Sequence, residues 1–208
     1  MVWRGCGTSG RCRGTVKSTD SKGWTLSLHQ LLLMRHAKSL WDDPRLSDHA
    51  RPLNARGRAS AVAMRRAMRE LGLLPDLVLV SSARRTLQTL EALGPWDDTP
   101  LIEPMDALYL ASAHGMLDVL HHVTETVRSV LVLGHNPGMH ELALTLVGAH
   151  AFSRPAEAGR AQLARLAEGY PTGALAEFSI AGPWALLGEG SGRLQHFLTP
   201  RDLPDPAT

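Results

Sequence analysis

Two histidines and three arginines in this 208-residue chain have residue types suited to handling a phosphoryl group. Arg35 and His36 are adjacent, Arg84 and Arg85 are adjacent, and His135 follows a glycine. A phosphoryl group carries about two negative charges and several acceptor oxygens. Arginine offers a fixed fork of donors that fits those oxygens and keeps its proton. A histidine beside arginines is pushed toward its neutral form, because a like charge disfavours the imidazolium. Neutral imidazole has a lone pair that can attack phosphorus. Transfer then needs chiefly positioning and charge neutralisation, and arginines can supply the positive field without a metal. No single residue is specific. Taken alone, His36 reads as a strand-end histidine, Arg85 as a solvated helix residue and His135 as a loop residue.

Position is what joins them. Each group follows an apolar run: Leu31-Leu32-Leu33-Met34 before Arg35-His36, Leu77-Val78-Leu79-Val80 before Arg84-Arg85, and Val130-Leu131-Val132-Leu133 before Gly134-His135. Such short runs read as buried strands. Helical patterns lie between them. From Gly57, the residues Ala61, Met64, Met68 and Leu71 form one stripe, and Gly72 and Pro75 end it. Further helices are expected at about 84–93, 112–123, 138–147 and 158–168. Residues 37–55 read as a long polar loop and 101–103 as a short strand. Two β-like segments, 174–180 and 193–199, close the chain. Alternating strands and helices predict a mainly parallel sheet covered on both faces. In such sheets the site forms beyond the carboxyl ends of the strands. The three charged turns are therefore expected on one edge.

Composition sets the frame. The chain is 44% hydrophobic and 20% charged, with a net charge of +2. This suits one α/β domain large enough to bury a core without a disulfide or metal staple. No apolar run approaches the ~20 residues of a membrane span. Residues 1–28 hold five basic groups and one acid, which leaves 17 basic and 19 acidic residues for the rest. A nucleic-acid partner is not expected from that balance. Both cysteines, Cys6 and Cys12, fall in the first 28 residues, and their spacing is not that of a zinc or redox site. Sparse cysteine suits a reducing cytoplasm. The segment is Arg-rich and acid-poor, like an organellar transit peptide, but reads better as a disordered or spurious N-terminal extension. The expected organisation is extension 1–28, domain 29–203 and tail 204–208.

The motifs resemble those of the histidine phosphatase superfamily. Leu33-Met34-Arg35-His36-Ala37 is similar to its Arg-His-Gly signature, with alanine in place of glycine. Ser81-Ser82-Ala83-Arg84-Arg85-Thr86-Leu87-Gln88-Thr89 resembles its Ser-Pro-x-x-Arg-Ala-x-Gln-Thr segment, in the register that selects Arg85 rather than Arg84. Gly134-His135-Asn136-Pro137-Gly138 resembles its second-histidine motif. The segments Arg51–Gly57, Pro171–Ala174 and Thr199–Leu203 look like those of the compact SixA-type branch. The resemblance spans about 29–203. It implies a three-layer α/β/α sandwich of the phosphoglycerate mutase-like type. It also implies that His36 is the nucleophile, that Arg35, Arg85 and His135 hold the phosphoryl oxygens, and that no cofactor or metal is needed.

One family element is missing. Larger relatives carry a glutamate as general acid in a loop after the Gln-Thr helix. The matching stretch here is Asp106-Ala107-Leu108-Tyr109-Leu110, with Glu103 nearby, and neither acid fits the motif. An alkoxide leaving group needs a proton in the transition state, whereas the imidazole of phosphohistidine departs more easily. The expected substrate is therefore a phosphorylated one of the phosphohistidine-protein kind. A general small-molecule phosphomonoesterase is the alternative, and a silent phospholigand-binding module a third. Lys38, Trp41 and Asp42 follow the nucleophile and could reach substrate or simply sit at the surface. His121, His122 and His140 read as structural rather than metal-binding, and Trp184 as packing under the last strands.

Overall fold

The computed structural model describes residues 17–19, 25–96, 100–153 and 157–204. Cys6, Cys12 and residues 205–208 lie outside these. Within the segment read as an extension, Lys17–Thr19 (β1) pairs antiparallel with Thr25–Ser27 (β2) as a separate two-stranded sheet. The main sheet has six strands: His29–Arg35 (β3), Leu77–Ser81 (β4), Leu101–Met105 (β5), Ser129–Gly134 (β6), Leu175–Ile180 (β7) and Gly192–Leu198 (β8). Their spatial order is β5-β4-β6-β3-β7-β8. β3, β6, β4 and β5 are parallel, and β7 runs against both β3 and β8. The sheet is thus mainly parallel, as expected, with one reversed strand.

The helices among the described residues are Ala55–Glu70 (α1), Arg84–Leu93 (α2), Ala113–His121 (α3), Gly138–Val147 (α4), Ala149–Ser153 (α5) and Glu157–Glu168 (α6). Alternate strand residues face opposite layers. Leu32, Met34, Val78, Val80, Leu131 and Leu133 pack with Met64 and Met68 of α1 and Leu90 and Leu93 of α2. Leu31, Leu33, Leu77, Leu79, Val130 and Val132 face the layer of α3, α4 and α6. Both faces of these strands are dry, which is why they read as unbroken apolar runs. Each such side chain stabilises the fold by about 1.5–3 kcal/mol.

The ends of α1 follow local rules. Asn54 caps it, its Oδ1 accepting from the Gly57 N–H at 2.8 Å. At the other end Gly72 has φ +69°, and the Leu73 N–H returns to the Met68 carbonyl at 2.8 Å. α5 was not signalled by the sequence. Its five residues, AHAFS, are too few to show a helical period. Trp184 is fully buried and its indole N–H donates to the Val127 carbonyl.

Gly57 sets how closely α1 approaches the chain after β3. A Cβ there would lie 2.1 Å from the Lys38 carbonyl oxygen, which belongs to rigid backbone. Gly57→Ala is expected to lower the unfolding free energy by roughly 1–3 kcal/mol in denaturant titration. Wild-type stability in that variant would contradict this packing.

Candidate active site

The three charged turns do meet. In the register of β3 and β6, Arg35 lies opposite Gly134. The His36 N–H donates to the Gly134 carbonyl at 3.1 Å, and the Arg35 N–H donates to Ala174 at 3.1 Å. The turn after β3 is therefore pinned from both neighbouring strands. Ala37, where the family signature has glycine, is fully buried against Leu53 and Ala61. Its N–H donates to Thr89 Oγ1 at 3.1 Å. Among the described residues the one non-glycine with positive φ is Leu110, so Ala37 occupies backbone space open to alanine.

His36 is 8% exposed. Its Nδ1 lies 2.7 Å from the Ala37 carbonyl, which can only accept. Nδ1 therefore carries the proton, and in the neutral ring Nε2 carries the lone pair. The pKa is lowered to about 4. Burial is the main cause, and the Arg85 and Arg35 charges add to it. His135 is 2% exposed, and its ring lies 5.2 Å from that of His36. Its Nδ1 accepts from Arg85 Nη2 at 3.1 Å, so its Nε2 holds the proton and donates to Ser81 Oγ at 2.7 Å. Its pKa is lowered to about 3, by burial first and then by His36 and Arg85.

Arg85 is 4% exposed, whereas Arg84 points to solvent. This is the choice that the motif register made. The Arg85 fork is occupied by one loop residue: Nη1 donates to the Asp48 carbonyl at 2.5 Å and Nη2 to Asp48 Oδ2 at 2.9 Å. Tyr109 donates to the same oxygen at 2.8 Å, and Arg51 pairs with Oδ1 at 3.4 Å. Burial alone would raise the Asp48 carboxyl pKa. The Tyr109 and Arg85 hydrogen bonds and the Arg85 and Arg51 charges outweigh it, holding the carboxyl below its usual range. Tyr109 also stands edge-on to the His135 ring at 5.5 Å.

Asp48 and Tyr109 were not singled out as site residues by sequence. The 37–54 loop closes on itself through a Ser39–Leu53 bridge and a Leu40 N–H to Pro52 bond of 2.9 Å. Its tip then docks on the β4–α2 turn, where the Arg84 N–H donates to the His49 carbonyl at 3.0 Å. Only this folding back brings Asp48 to Arg85. Asp106 begins the 3₁₀ turn whose far end delivers Tyr109, but it is itself exposed, as is Glu103 on edge strand β5. Arg35 is fixed from behind. Its Nη1 donates to the Tyr170 carbonyl at 2.8 Å, and the buried Tyr170 hydroxyl donates to Leu33 at 2.6 Å. Burial pushes the Tyr170 phenol up.

The remaining candidates stay apart from this centre. Trp41 is 70% exposed, and the Arg51 guanidinium stacks on it at 3.6 Å, so it braces the loop. Asp42 is exposed. His121, His122 and His140 each place one ring nitrogen on a backbone carbonyl, those of Leu187, Asp118 and Leu166. Among the described residues no group of three His, Cys, Asp or Glu side chains is placed to hold a metal. No helix among them is long and apolar enough to cross a membrane.

Residues 31–106 match the family model of the histidine phosphatase superfamily (branch 1). An uncharacterised protein of Mycobacterium tuberculosis is 34% identical over 178 residues, covering 81% of this chain and all of that protein. An uncharacterised chloroplastic protein of Arabidopsis thaliana is 34% identical over 130 residues, and the match spans 58% of this chain and 60% of that protein. A candidate phosphohistidine phosphatase SixA from Nakamurella multipartitia superposes with a TM-score of 0.71 at 30% identity, over 83% of this chain and 96% of the other. The protein histidine phosphatase SixA complexed with tungstate gives 0.64 at 25% identity, over 83% and 98%.

The two lowered pKa values have an observable consequence. A histidine whose folded pKa lies below its unfolded value of about 6.5 stays neutral as pH falls toward the lower value. It contributes stability above the unfolded pKa and loses it as pH falls through the folded one. The His36 and His135 ring-proton NMR shifts are expected to stay at neutral values from pH 7 down to about 5. Titration of either ring with a midpoint near 6.5 would contradict the buried, arginine-flanked site.

Proposed function

The chain belongs to the histidine phosphatase superfamily, and from that premise we propose that it hydrolyses protein phosphohistidine through a phosphorylated His36. The observation that carries the reading is the free Nε2 lone pair of a buried, neutral His36 beside Arg35 and Arg85. Nε2 attacks phosphorus. The new N–P bond forms as the bond to the leaving imidazole breaks, and that imidazole, already protonated on its other ring nitrogen, departs as the neutral ring. Water then attacks the phosphorylated His36, releasing orthophosphate and returning the neutral ring. Arg35 and Arg85 hold the equatorial oxygens. Arg85 must release the Asp48 carboxylate to do so. His135 lies against both His36 and Arg85, and its Nε2–H becomes available to a phosphoryl oxygen if Ser81 yields it. No metal enters any of these steps. We place the activity in residues 29–203 and, from the sparse cysteines, in a reducing cytoplasm.

The leaving group is argued from the acids. Glu103 and Asp106 are exposed, and Asp48 is held as a carboxylate by Arg85, Tyr109 and Arg51. An ionised carboxylate gives no proton to an alkoxide, so a leaving group that departs without strong protonation is favoured. The same Asp48 supports a second reading. Displaced from Arg85 by a phosphoryl dianion, it would lose a cation and gain an anionic neighbour. Both changes raise a carboxyl pKa, and a protonated Asp48 would serve a general phosphomonoesterase.

A substrate panel separates the two. With EDTA present, a phosphohistidine peptide is expected to be cleaved with a much higher kcat/KM than an alkyl phosphate. Asp48→Asn is expected to change the peptide's kcat by less than about tenfold, whereas loss of a working acid costs ~10²–10⁴-fold. Equal turnover of ester and peptide, both lost together in Asp48→Asn, would establish the monoesterase instead. Activity that dies on chelation and returns with a divalent ion would overturn the metal-free mechanism.

A further inference from the structure

Beside Arg35 opens a cleft of about 840 Å³. That is the size of a small-molecule site. Five basic side chains line it: Arg35, Lys38, Arg56, Arg165 and Arg201. Two acids face them, Glu168 and Asp202. Asp202 is already committed, to the Arg165 guanidinium and to the Thr199 N–H and hydroxyl at 2.7 and 2.9 Å. Lys38, Arg56 and Arg201 form no ion pair among the described residues. The cleft is therefore strongly cationic, although the folded part of the chain carries slightly more acids than bases.

Two residues of its lining each carry an unsatisfied polar atom. Arg35 Nε and Asn136 Oδ1 are buried with no hydrogen-bond partner. The other ends of both side chains converge on one acceptor, the Tyr170 carbonyl, at 2.8 Å from Arg35 Nη1 and 3.0 Å from Asn136 Nδ2. Buried polar atoms are rarely left unpaired. Arg35 is thus shared between the phosphoryl site and the cleft, and a substrate reaching His36 lies within range of the cleft's charges. Exposed cations can be a merely solvated face. Here they come from four separate segments, the turn after β3, the start of α1, α6 and the turn after β8, and they surround one concavity.

Resting on the phosphohistidine reading above, we propose that this cleft is a second anion subsite, which takes a carboxylate carried by the substrate protein close to its phosphohistidine. Arg56, Arg201 and Lys38 supply the field, and Arg35 links it to the transferred group. Substrates with an acidic residue beside the phosphohistidine are preferred over neutral ones.

The test is binding to the full-length His36→Ala protein, which cannot form the phosphoenzyme. Calorimetry compares two phosphohistidine peptides that differ only in flanking glutamates or glutamines. A hexose monophosphate and the corresponding bisphosphate form a second pair, for the case in which the second anion is a phosphate. The glutamate peptide is expected to bind about tenfold tighter, as a charge-assisted hydrogen bond allows. Adding Arg56→Gln and Arg201→Gln is expected to bring the two peptides within about twofold, and raising the salt to shrink the preference. If the peptides fail to bind but the bisphosphate outbinds the monophosphate, the subsite stands and the phosphohistidine reading falls. Equal binding within each pair leaves that reading intact and overturns the subsite, and binding of none of the four overturns both.

Discussion

A buried guanidinium cannot be left without partners, and Arg85 is almost wholly buried. Its five N–H donors need acceptors that do not take its charge away. The chain supplies them from two distant places, the His135 ring and the Asp48 carbonyl and carboxylate. The first fixes the His135 tautomer, because a donor facing Nδ1 forces the proton onto Nε2. The second draws the 37–54 loop back over the sheet edge and gathers Tyr109 and Arg51 around its tip. Arg85 thus organises both sides of the pocket in which His36 sits. In a pocket this dry its charge also helps to keep both histidines neutral.

The sequence carried the scaffold because the scaffold is repetitive. Unbroken apolar runs report strands buried on both faces, and Gly72 ends α1 where glycine should. His36, Arg85 and His135 were legible because each follows one of those runs, and parallel neighbours bring strand ends together. Asp48 was hidden for the opposite reason. It lies in a polar loop with no period, where an aspartate is ordinary, and only the loop's own closure brings it to Arg85. The search for an acid by motif stopped at Asp106, whereas the structure brings Tyr109 of that turn to the centre and Asp48 from 61 residues earlier. The reason given for a neutral His36 also shifts in emphasis. Like charges were the expected cause, and burial proves larger.

The reversed strand β7 has a functional side. Being antiparallel to β3, it begins where β3 ends, so the residues just before it sit at the site edge. The Tyr170 carbonyl receives Arg35 and Asn136, and the Gly173 N–H donates to the carbonyls of Arg35 and His36 at 3.1 and 3.0 Å. Gly173 has φ +78°, which that turn requires of it. The same segment and the turn after β8 form the walls of the cationic cleft. One departure from an all-parallel sheet thus braces the turn that carries His36 and builds the surface beside it.

Central to the proposed function is covalent transfer to His36 Nε2, and that is directly measurable. Brief incubation with a phosphorylated substrate, rapid quenching at alkaline pH and mass spectrometry of the peptides locate the phosphoryl group. The account predicts phosphate on His36 in the wild-type protein and none in His36→Ala, with turnover abolished in that variant. Phosphate on another residue with His36 unlabelled, or undiminished turnover by His36→Ala, would contradict it.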